Sequence, residues 1–407
     1  MGVVLGTLGI GAVAVGAVAL ALEAQYRRRP GNALDLTPGD WQIEAADPQH
    51  YRLVGDLELR NHTKSLEIMV PELWAETKLL SKGSLAGLEW STVVTPQHRD
   101  EPARPDDYWF AYIVKVGKTT RLKITLDITG ADLSQLQSAW VKVNYVTYGP
   151  GGRIPKVRHV IIPLHFPTIE DSSPWQQRDG AEMLCVKTHL LTPLDKPVEV
   201  VKRYVMPHAK PGDVLTIGET PIAIMQGRMR HPSEVKPGWL ARRICYYFHP
   251  TSSLATAVGM QTLVDISGPW RVAAAFVLGS IARMFGHRGG FYQLAGEQAR
   301  LIDDVTGTLP PYEQFIVLGP EDPQAVVDEI KRETGLPCAI VDVNDLRRVK
   351  ILASTTGVSQ QFLEDALRSN PAGNADEQTP VVLLRPLKAG AGAGAGQGAA
   401  KSAGRSA

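Results

Sequence analysis

The chain has few cysteines, and the common nucleotide-binding motifs are absent from its sequence. Its three cysteines, Cys185, Cys245 and Cys338, form no CxxC pair. This excludes a disulfide framework and a cysteine-rich zinc site, and it fits a reducing compartment. A Walker lysine, a dinucleotide-binding glycine fingerprint and a nucleophile elbow are also missing. No short motif of this kind identifies the chemistry.

The chain also lacks an excess of either charge. Its 43 Lys and Arg and 42 Asp and Glu give a formal net charge of +1. Because nucleic-acid binding depends on a basic field, we predict no nucleic-acid partner. A composition of 44% hydrophobic and 21% charged residues is typical of globular proteins. The length of 407 residues suits two or three folded units.

The first apolar segment, Gly2 to Leu22, contains no charged residue. As a helix it would reach about 30 Å, the thickness of a bilayer core. A cleaved secretory signal is the alternative, with Ala19 to Ala21 as the small-residue cleavage site. No Lys or Arg precedes this segment, and the cluster Arg27 to Arg29 follows it. This charge distribution favours a membrane segment that is kept in the mature protein over a cleaved signal. We predict a membrane anchor over residues 1–30, single-pass, with the folded domains on the cytoplasmic side.

The other end of the chain is rich in glycine and alanine. Such a sequence cannot bury enough apolar surface to become ordered. We therefore predict a disordered tail over residues 387–407.

Residues 31–170 show the two-residue period of β-strands. Apolar residues alternate with polar ones most clearly over Leu122, Ile124, Leu126 and Ile128. Turn-rich stretches separate several such runs, at the spacing of a β-sandwich. We predict an all-β, sandwich-like domain that acts as a spacer or as the binding site of a protein partner.

Residues 171–386 alternate between strand-like and helical patterns, which predicts a mixed α/β domain. A turn leads into a strand at Gly212 to Ile217, and the strand Cys338 to Val341 ends at Asp342. Acidic residues at the carboxyl end of a strand are where α/β folds tend to bind ligands. The whole chain is thus predicted to be a multi-domain protein of the α+β or α/β class with an N-terminal transmembrane helix.

Charge is segregated within this domain. Between Lys202 and Arg243 there are eight Lys and Arg against three acids, and between Gly296 and Ile330 there are eight acids against one arginine. Two such surfaces suit a polyphosphate that is bound by arginines and bridged to carboxylates by Mg²⁺ or Mn²⁺. The alternative is that both are solvated surfaces.

Two acidic pairs are the candidate metal ligands. Asp303 and Asp304 lie beside a turn-like stretch, and Asp342 and Asp345 form the second pair. Hard divalent cations prefer oxygen ligands of this type. Either pair could instead cap a helix or a turn.

Thr251 and Ser252 precede a helical pattern, where they could cap the helix or lie where backbone amides bind a phosphate. His208, His231 and His249 lack metal-ligand spacing, so turn or surface roles are predicted.

The apolar run Val272 to Ile281 is too short to span a bilayer. A buried helix is the expected structure. An interfacial helix is the alternative, supported by Trp270, Arg283, Phe285 and Arg288.

Residues Cys185 to Pro386 resemble the coenzyme F-420 gamma-glutamyl ligase family, in particular its membrane-tethered, cyanobacterial-type members. Pro211-Gly-Asp-Val-Leu-Thr-Ile217 and Gln226-Gly-Arg228 are similar to the family's Gly-Asp-Val-Leu strand and Glu-Gly-Arg turn. Leu301-Ile-Asp-Asp304 resembles its Gly-Ile-Asp element, and Ile316 to Pro323 resembles its Leu-Leu-Pro-Glu-Asp-Pro run.

The resemblance implies a GTP-dependent ligase that uses Mg²⁺ or Mn²⁺. Such an enzyme phosphorylates a carboxylate of an anionic deazaflavin coenzyme precursor, and the amine of glutamate then displaces the phosphate to give an amide. It implies metal ligation by Asp303 or Asp304 and by Asp342, and places Arg228 near phosphate. Gly227 and Arg230, in and beside the same turn, complete the predicted phosphate-binding set with Thr251 and Ser252.

The sequence departs from the family at three points. Ala223-Ile-Met225 replaces the Ser-Lys that precedes the family's Glu-Gly-Arg turn. The Asn-Ala-Gly before the family's aspartate and its Gly-Arg-Pro-Trp-Arg stretch are absent. The alternative function is therefore a ligand-binding or assembly module that keeps the fold without the catalysis.

Overall fold

The computed structural model describes residues 15–25, 33–178, 180–250, 252–287, 289–302, 309–343, 348–373 and 377–387, with the Arg178 side chain excepted. The chain forms two compact units. The first contains the residues up to Phe166, together with His189–Lys196 and Ala223–Gly319. The second contains Pro167–Thr188, Pro197–Ile222 and the residues from Pro320 onward. The predicted domain boundaries at residues 30, 170 and 386 stay a prediction.

The N-terminal helix, α1, covers residues 15–25. At about 1.5 Å per residue it is roughly half as long as a bilayer core is thick. Across the described ranges, no helix has both the length and the apolar character needed to cross a membrane. The prediction of a single-pass anchor over Gly2 to Leu22, with the folded domains on its cytoplasmic side, is therefore wrong. Residues 1–14 and 26–32 lie outside the described residues.

Nine strands form two antiparallel sheets in the first unit. The strands are β1 (Leu34–Leu36), β2 (Asp40–Asp47), β3 (His50–Asn61), β4 (Ile68–Ser81), β5 (Glu89–Gln97), β6 (Tyr112–Val114), β7 (Thr119–Thr129), β8 (Leu136–Gly149) and β9 (Gly152–Pro163). One sheet has the order β1-β3-β7-β5, with β2 paired to β3, and the other has the order β6-β4-β8-β9.

The two sheets enclose one apolar core. Leu122, Ile124, Leu126 and Ile128 of β7 are fully buried, as the alternating pattern predicts. Side chains from β3, β4 and β8 contribute to the same cluster. The predicted all-β domain is confirmed.

The later part of the chain mixes helices and short strands, as predicted. Its helices are α2 (Pro197–Val200), α3 (Glu219–Met225), α4 (Trp239–Ile244), α5 (Ala257–Ser267), α6 (Pro269–Met284), α7 (Gly290–Ala295), α8 (Gln298–Leu301), α9 (Pro323–Thr334) and α10 (Gln360–Leu367). Its strands are β10 (Gln176–Arg178), β11 (Ala181–Val186), β12 (Val214–Gly218), β13 (Met229–Arg230), β14 (Ile316–Val317), β15 (Cys338–Val343), β16 (Val349–Ser354) and β17 (Val381–Pro386).

A six-stranded mixed sheet organises the second unit, in the order β10-β11-β17-β12-β15-β16. The β12/β15 pair is parallel, and the other neighbours are antiparallel. α9 packs on β15 and β16. It begins after Asp322, whose carboxylate accepts the Ala325 amide at 3.2 Å, and it ends at Gly335 in the left-handed conformation.

Candidate functional site

The predicted phosphate-binding residues Gly227, Arg228 and Arg230 lie in and just after the turn that ends α3. Gly227 has φ +68°, a conformation that favours glycine, and its amide donates to the Ile224 carbonyl at 2.8 Å. β13 follows at once and pairs with β14. The structure therefore brings these three residues together on one turn and its strand.

The Arg228 side chain is anchored across the β13/β14 pair. Its Nε donates to the Gly319 carbonyl at 2.6 Å, and its backbone carbonyl accepts the Leu318 amide at 2.9 Å. Both contacts lie within the first unit. The direction of the guanidinium group is thus set by the backbone after β14.

Arg230 pairs with an acid of α5. Its Nη1 lies 2.8 Å from Asp265 Oδ2, and more than a third of each side chain is exposed. Asp265 Oδ1 also accepts a hydrogen bond from the side-chain amide of Gln261 (Nε2) at 2.7 Å. Because the pair is solvent-exposed, it adds little to the stability of the fold.

Ser252 acts as a local cap. Its Oγ accepts the Leu254 amide at 3.4 Å at the start of a single 3-10 turn, and it lies 3.4 Å from the Tyr292 hydroxyl. α5 itself is capped by Thr256, whose Oγ1 accepts the Gly259 amide at 3.0 Å. Thr251 lies outside the described residues.

Asp342 lies in β15, opposite Lys350 of β16. Burial raises the pKa of the Asp342 carboxyl, and Lys350 partly opposes this. Asp303, Asp304 and Asp345 lie outside the described residues. Within the described ranges, no three His, Cys, Asp or Glu side chains are grouped so that they could hold a metal ion.

A second cluster, which sequence spacing did not indicate, lies in the first unit around His159 of β9. The His159 side chain is 4% exposed. Its Nδ1 accepts the indole N–H of Trp140 at 3.0 Å, so the proton of the neutral ring lies on Nε2. Nε2 is 3.4 Å from Oε1 of Glu234 and makes no hydrogen bond among the described residues.

Aromatic rings enclose this histidine. The His231 ring stacks on it, with 4.7 Å between centroids, and Phe315 meets it edge-on at 5.4 Å. His231 also occupies the predicted turn, because it caps the 3-10 turn Pro232–Glu234 by accepting the Ser233 amide. We call His159, His231 and Glu234 the histidine-glutamate cluster.

The environment shifts the pKa values of His159 and Glu234 in opposite directions. Burial lowers the pKa of His159 to about 3, with smaller contributions from His231 and two basic side chains. Burial raises the pKa of Glu234 to about 7, although Arg158 and Arg230 oppose it. One third of the Glu234 side chain is solvent-exposed, so water partly screens its interactions. Near neutral pH the cluster pairs a neutral imidazole with a carboxyl group that can gain or lose a proton.

The β-sandwich matches a protein family. Residues 35–166 match the family model described as the N-terminal Ig-like domain of F420-0:gamma-glutamyl ligase. The matched residues cover about a third of the chain and end before the motifs at Gly212 to Ile217 and Gln226 to Arg228. The match supports a relation to the gamma-glutamyl ligase family. It does not extend to the C-terminal domain or to a cyanobacterial type.

Curated proteins give no sequence match to the chain. Among solved structures, the GAE domain of yeast GGA1 is 13% identical, with 33% of this chain and 96% of that chain covered and a TM-score of 0.19. The GAE domain of GGA2p from Saccharomyces cerevisiae is 13% identical, with 34% and 95% covered and a TM-score of 0.20. A FixG-related protein from Vibrio parahaemolyticus is 12% identical, with 32% and 96% covered and a TM-score of 0.17. TM-scores of this size carry no functional argument.

Proposed function

We propose that the chain is a gamma-glutamyl ligase that joins the amine of glutamate to a carboxylate of an anionic, coenzyme-like acceptor. The observation that carries the proposal is the family match over residues 35–166. It lies in a different part of the chain from the motifs at Gly212 to Ile217 and Gln226 to Arg228, which resemble the same family. Two separate parts of the sequence thus point to one family.

The proposed reaction has two steps. The acceptor carboxylate attacks the γ-phosphorus of GTP and releases GDP, which leaves an acyl phosphate. The glutamate amine then attacks the acyl carbon, phosphate leaves, and the nitrogen loses a proton as the amide forms. GTP and Mg²⁺ or Mn²⁺ enter the proposal through the resemblance. Neither step is routed through the metal, because three of its four predicted ligands, Asp303, Asp304 and Asp345, lie outside the described residues.

Arg228 is the residue of this chain proposed to contact phosphate. The bond from its Nε to the Gly319 carbonyl limits the orientations of the guanidinium group. A guanidinium group that is already oriented loses less conformational entropy when it binds an anion. Arginine suits this role because its planar donors match phosphate oxygens.

One observation favours the second candidate function, a non-catalytic ligand-binding module. Ala223-Ile-Met225 stands where the family that the chain resembles has Ser-Lys before its turn, and Ala223 and Ile224 are 0% and 6% exposed. They pack in an apolar cluster with Trp140, Leu190 and Phe315. A lysine that binds phosphate is therefore replaced here by core side chains.

The nucleotide site is tested by thermal unfolding of the full chain with GTP and Mn²⁺. A ligand at a hundred times its Kd stabilises the folded state by about 2.7 kcal/mol, so the midpoint rises by several degrees. The Arg228→Gln variant is expected to lose most of this rise. Arg243→Gln, an exposed arginine in the same basic stretch, is the matched control and keeps the rise.

Phosphate release then separates the two functions. A ligase releases phosphate from GTP only when glutamate and an acceptor are both present. A binding module is stabilised by GTP without releasing phosphate under any of these conditions. No rise in the midpoint at millimolar GTP and Mn²⁺ would contradict the nucleotide site itself.

A further inference from the structure

α6 has an apolar face that the described part of the chain leaves exposed. Its buried face includes Val272, Ala275 and Gly279. Gly279 lies against α7 so closely that a Cβ there would come within 2.7 Å of the Phe291 backbone nitrogen. α7 therefore seals this side of the helix, and the opposite side faces solvent.

Large apolar side chains line the solvent side. They recur at the spacing of one helical face, whereas the solvent side of a surface helix is normally polar. The exposed fractions are 87% for Trp270, 55% for Val277, 53% for Leu278, 46% for Ile281, 86% for Met284 and 80% for Phe285. Exposure of this extent along a whole helix indicates a surface that another structure covers.

The apolar surface continues from α6 toward α4. The Tyr247 ring lies 5.2 Å from Phe276 of α6 and is 72% exposed. Tyr246, the preceding residue, and Trp239, at the start of α4, are 85% and 73% exposed. We call the exposed side of α6 together with Trp239, Tyr246 and Tyr247 the aromatic face.

The sequence stretch that carries the aromatic face is mostly basic. Between Glu234 and Glu297 the sequence contains a single acid, Asp265, and Asp265 is paired with Arg230. The same stretch contains five described basic residues, Lys236, Arg242, Arg243, Arg271 and Arg283. Because a second copy related by a two-fold axis would bring the same positive surface against this one, charge disfavours self-association.

We propose that the aromatic face docks onto an anionic lipid surface and lies in its interface without crossing it. Tryptophan and tyrosine rings favour the headgroup level, where one end of the ring is apolar and the other is hydrated. Apolar side chains at the centre of such a face enter the acyl boundary, while arginines at its edge contact anionic headgroups. The proposal concerns residues 236–285 and is independent of the proposed ligase activity.

Vesicle sedimentation of the full chain tests the proposal. The vesicles contain phosphatidylcholine alone or phosphatidylcholine with phosphatidylglycerol. The double variant Val277→Glu and Ile281→Glu removes the apolar contact at two exposed positions, so the fold should be kept. Ile43→Glu with Val93→Glu is the matched control, because these side chains are similarly exposed, at 44% and 39%, on the β-sandwich.

We expect the wild type to bind the anionic vesicles at least tenfold more strongly than vesicles of phosphatidylcholine alone. The double variant should bind the anionic vesicles at least tenfold more weakly than the wild type, and the control should bind them as the wild type does. Equal binding by the wild type and the double variant would overturn the proposal. A change in oligomeric mass in the double variant, with vesicle binding unchanged, would assign the face to a second copy of the chain and overturn it equally.

A charge variant provides an independent measurement if the double variant does not fold. Arg243→Gln with Arg283→Gln keeps the apolar side chains and removes two positive charges, which should weaken binding to anionic vesicles by roughly thirtyfold. High salt should weaken the wild type in the same direction. Binding that does not respond to either change would contradict the lipid assignment.

Discussion

Each of the two units contains an acid beside a base, and the two pairs are held in different ways. In the second unit, Asp213 is 1% exposed and accepts two hydrogen bonds from Arg385, both at 2.9 Å. The Lys210 amide donates to the same carboxylate at 2.8 Å. In the first unit, Glu234 faces His159 at 3.4 Å without a hydrogen bond between them.

The difference separates a structural pair from a titratable one. Contact with Asp213 raises the pKa of Arg385, so the guanidinium stays charged across the ordinary pH range. At the histidine-glutamate cluster, burial favours the neutral form of both groups. The first pair is expected to maintain the sheet, and the second is expected to respond to pH. Three changes test this comparison.

The largest effect is expected for Asp213→Ala. It leaves the Arg385 guanidinium without its bidentate partner, although Glu182 stays 3.7 Å away. We expect the free energy of unfolding to fall by about 3 kcal/mol, as measured by urea denaturation. Asp365→Ala removes a similar partner from Arg368 on the exposed surface of α10 and should cost at most about 0.5 kcal/mol. Equal losses of unfolding free energy in the two variants would show that the Asp213–Arg385 pair stabilises the fold no more than an exposed ion pair does.

A smaller effect is expected for Trp140→Phe. The variant keeps most of the ring but removes the N–H that donates to His159 Nδ1. A buried acceptor without its donor costs about 1–3 kcal/mol, so we expect a loss near 1–2 kcal/mol in urea denaturation. Trp90→Phe is the matched control, because Trp90 is 40% exposed and its N–H donates to the Thr77 carbonyl. A loss in the control as large as in Trp140→Phe would argue against a buried hydrogen bond at His159.

The smallest effect is a pH dependence at Glu234. Because the pKa of Glu234 rises in the folded state from 4.5 to about 7, its contribution to stability is full below pH 4.5 and is lost as the pH rises through about 7. His159 acts in the opposite direction, since its folded pKa falls from 6.5 to about 3 and its contribution is lost as the pH falls. The two contributions oppose each other between pH 4.5 and 6.5.

The Glu234→Gln variant removes the titrating carboxyl group and leaves the contribution of His159 to the pH dependence of stability. Relative to the wild type, we expect the variant to gain about 1 kcal/mol of stability between about pH 5 and about pH 7.5, a value reduced from the full shift because a third of the side chain is exposed. Urea midpoints of both proteins at the two pH values measure it. A constant difference between them would show that Glu234 titrates normally.

Local sequence patterns predicted the elements well where one pattern decides the structure. The alternation over Leu122 to Ile128 produces β7, and the apolar run Val272 to Ile281 does form a helix. The run was expected to be buried, but only one side of α6 is covered. An apolar run predicts a regular element that packs on a neighbour, whereas the extent to which that element is covered depends on residues distant in sequence.

Long-range contacts explain what the sequence did not indicate. His159 and Glu234 lie on different elements, so no spacing rule connects them. Likewise, β12 pairs with β17, far along the chain, and no local signal sets that register. The Gly227 turn was found only because its residues resemble a known family.

Transfer of labelled glutamate to the deazaflavin precursor tests the proposed function most directly. The full chain is incubated with labelled glutamate, the precursor, GTP and Mn²⁺, and the amide product is measured together with the released phosphate. The proposal predicts one phosphate for each amide, with both lost when GTP is omitted. GTP-dependent stabilisation without any labelled amide would contradict the ligase and assign the chain to the non-catalytic module.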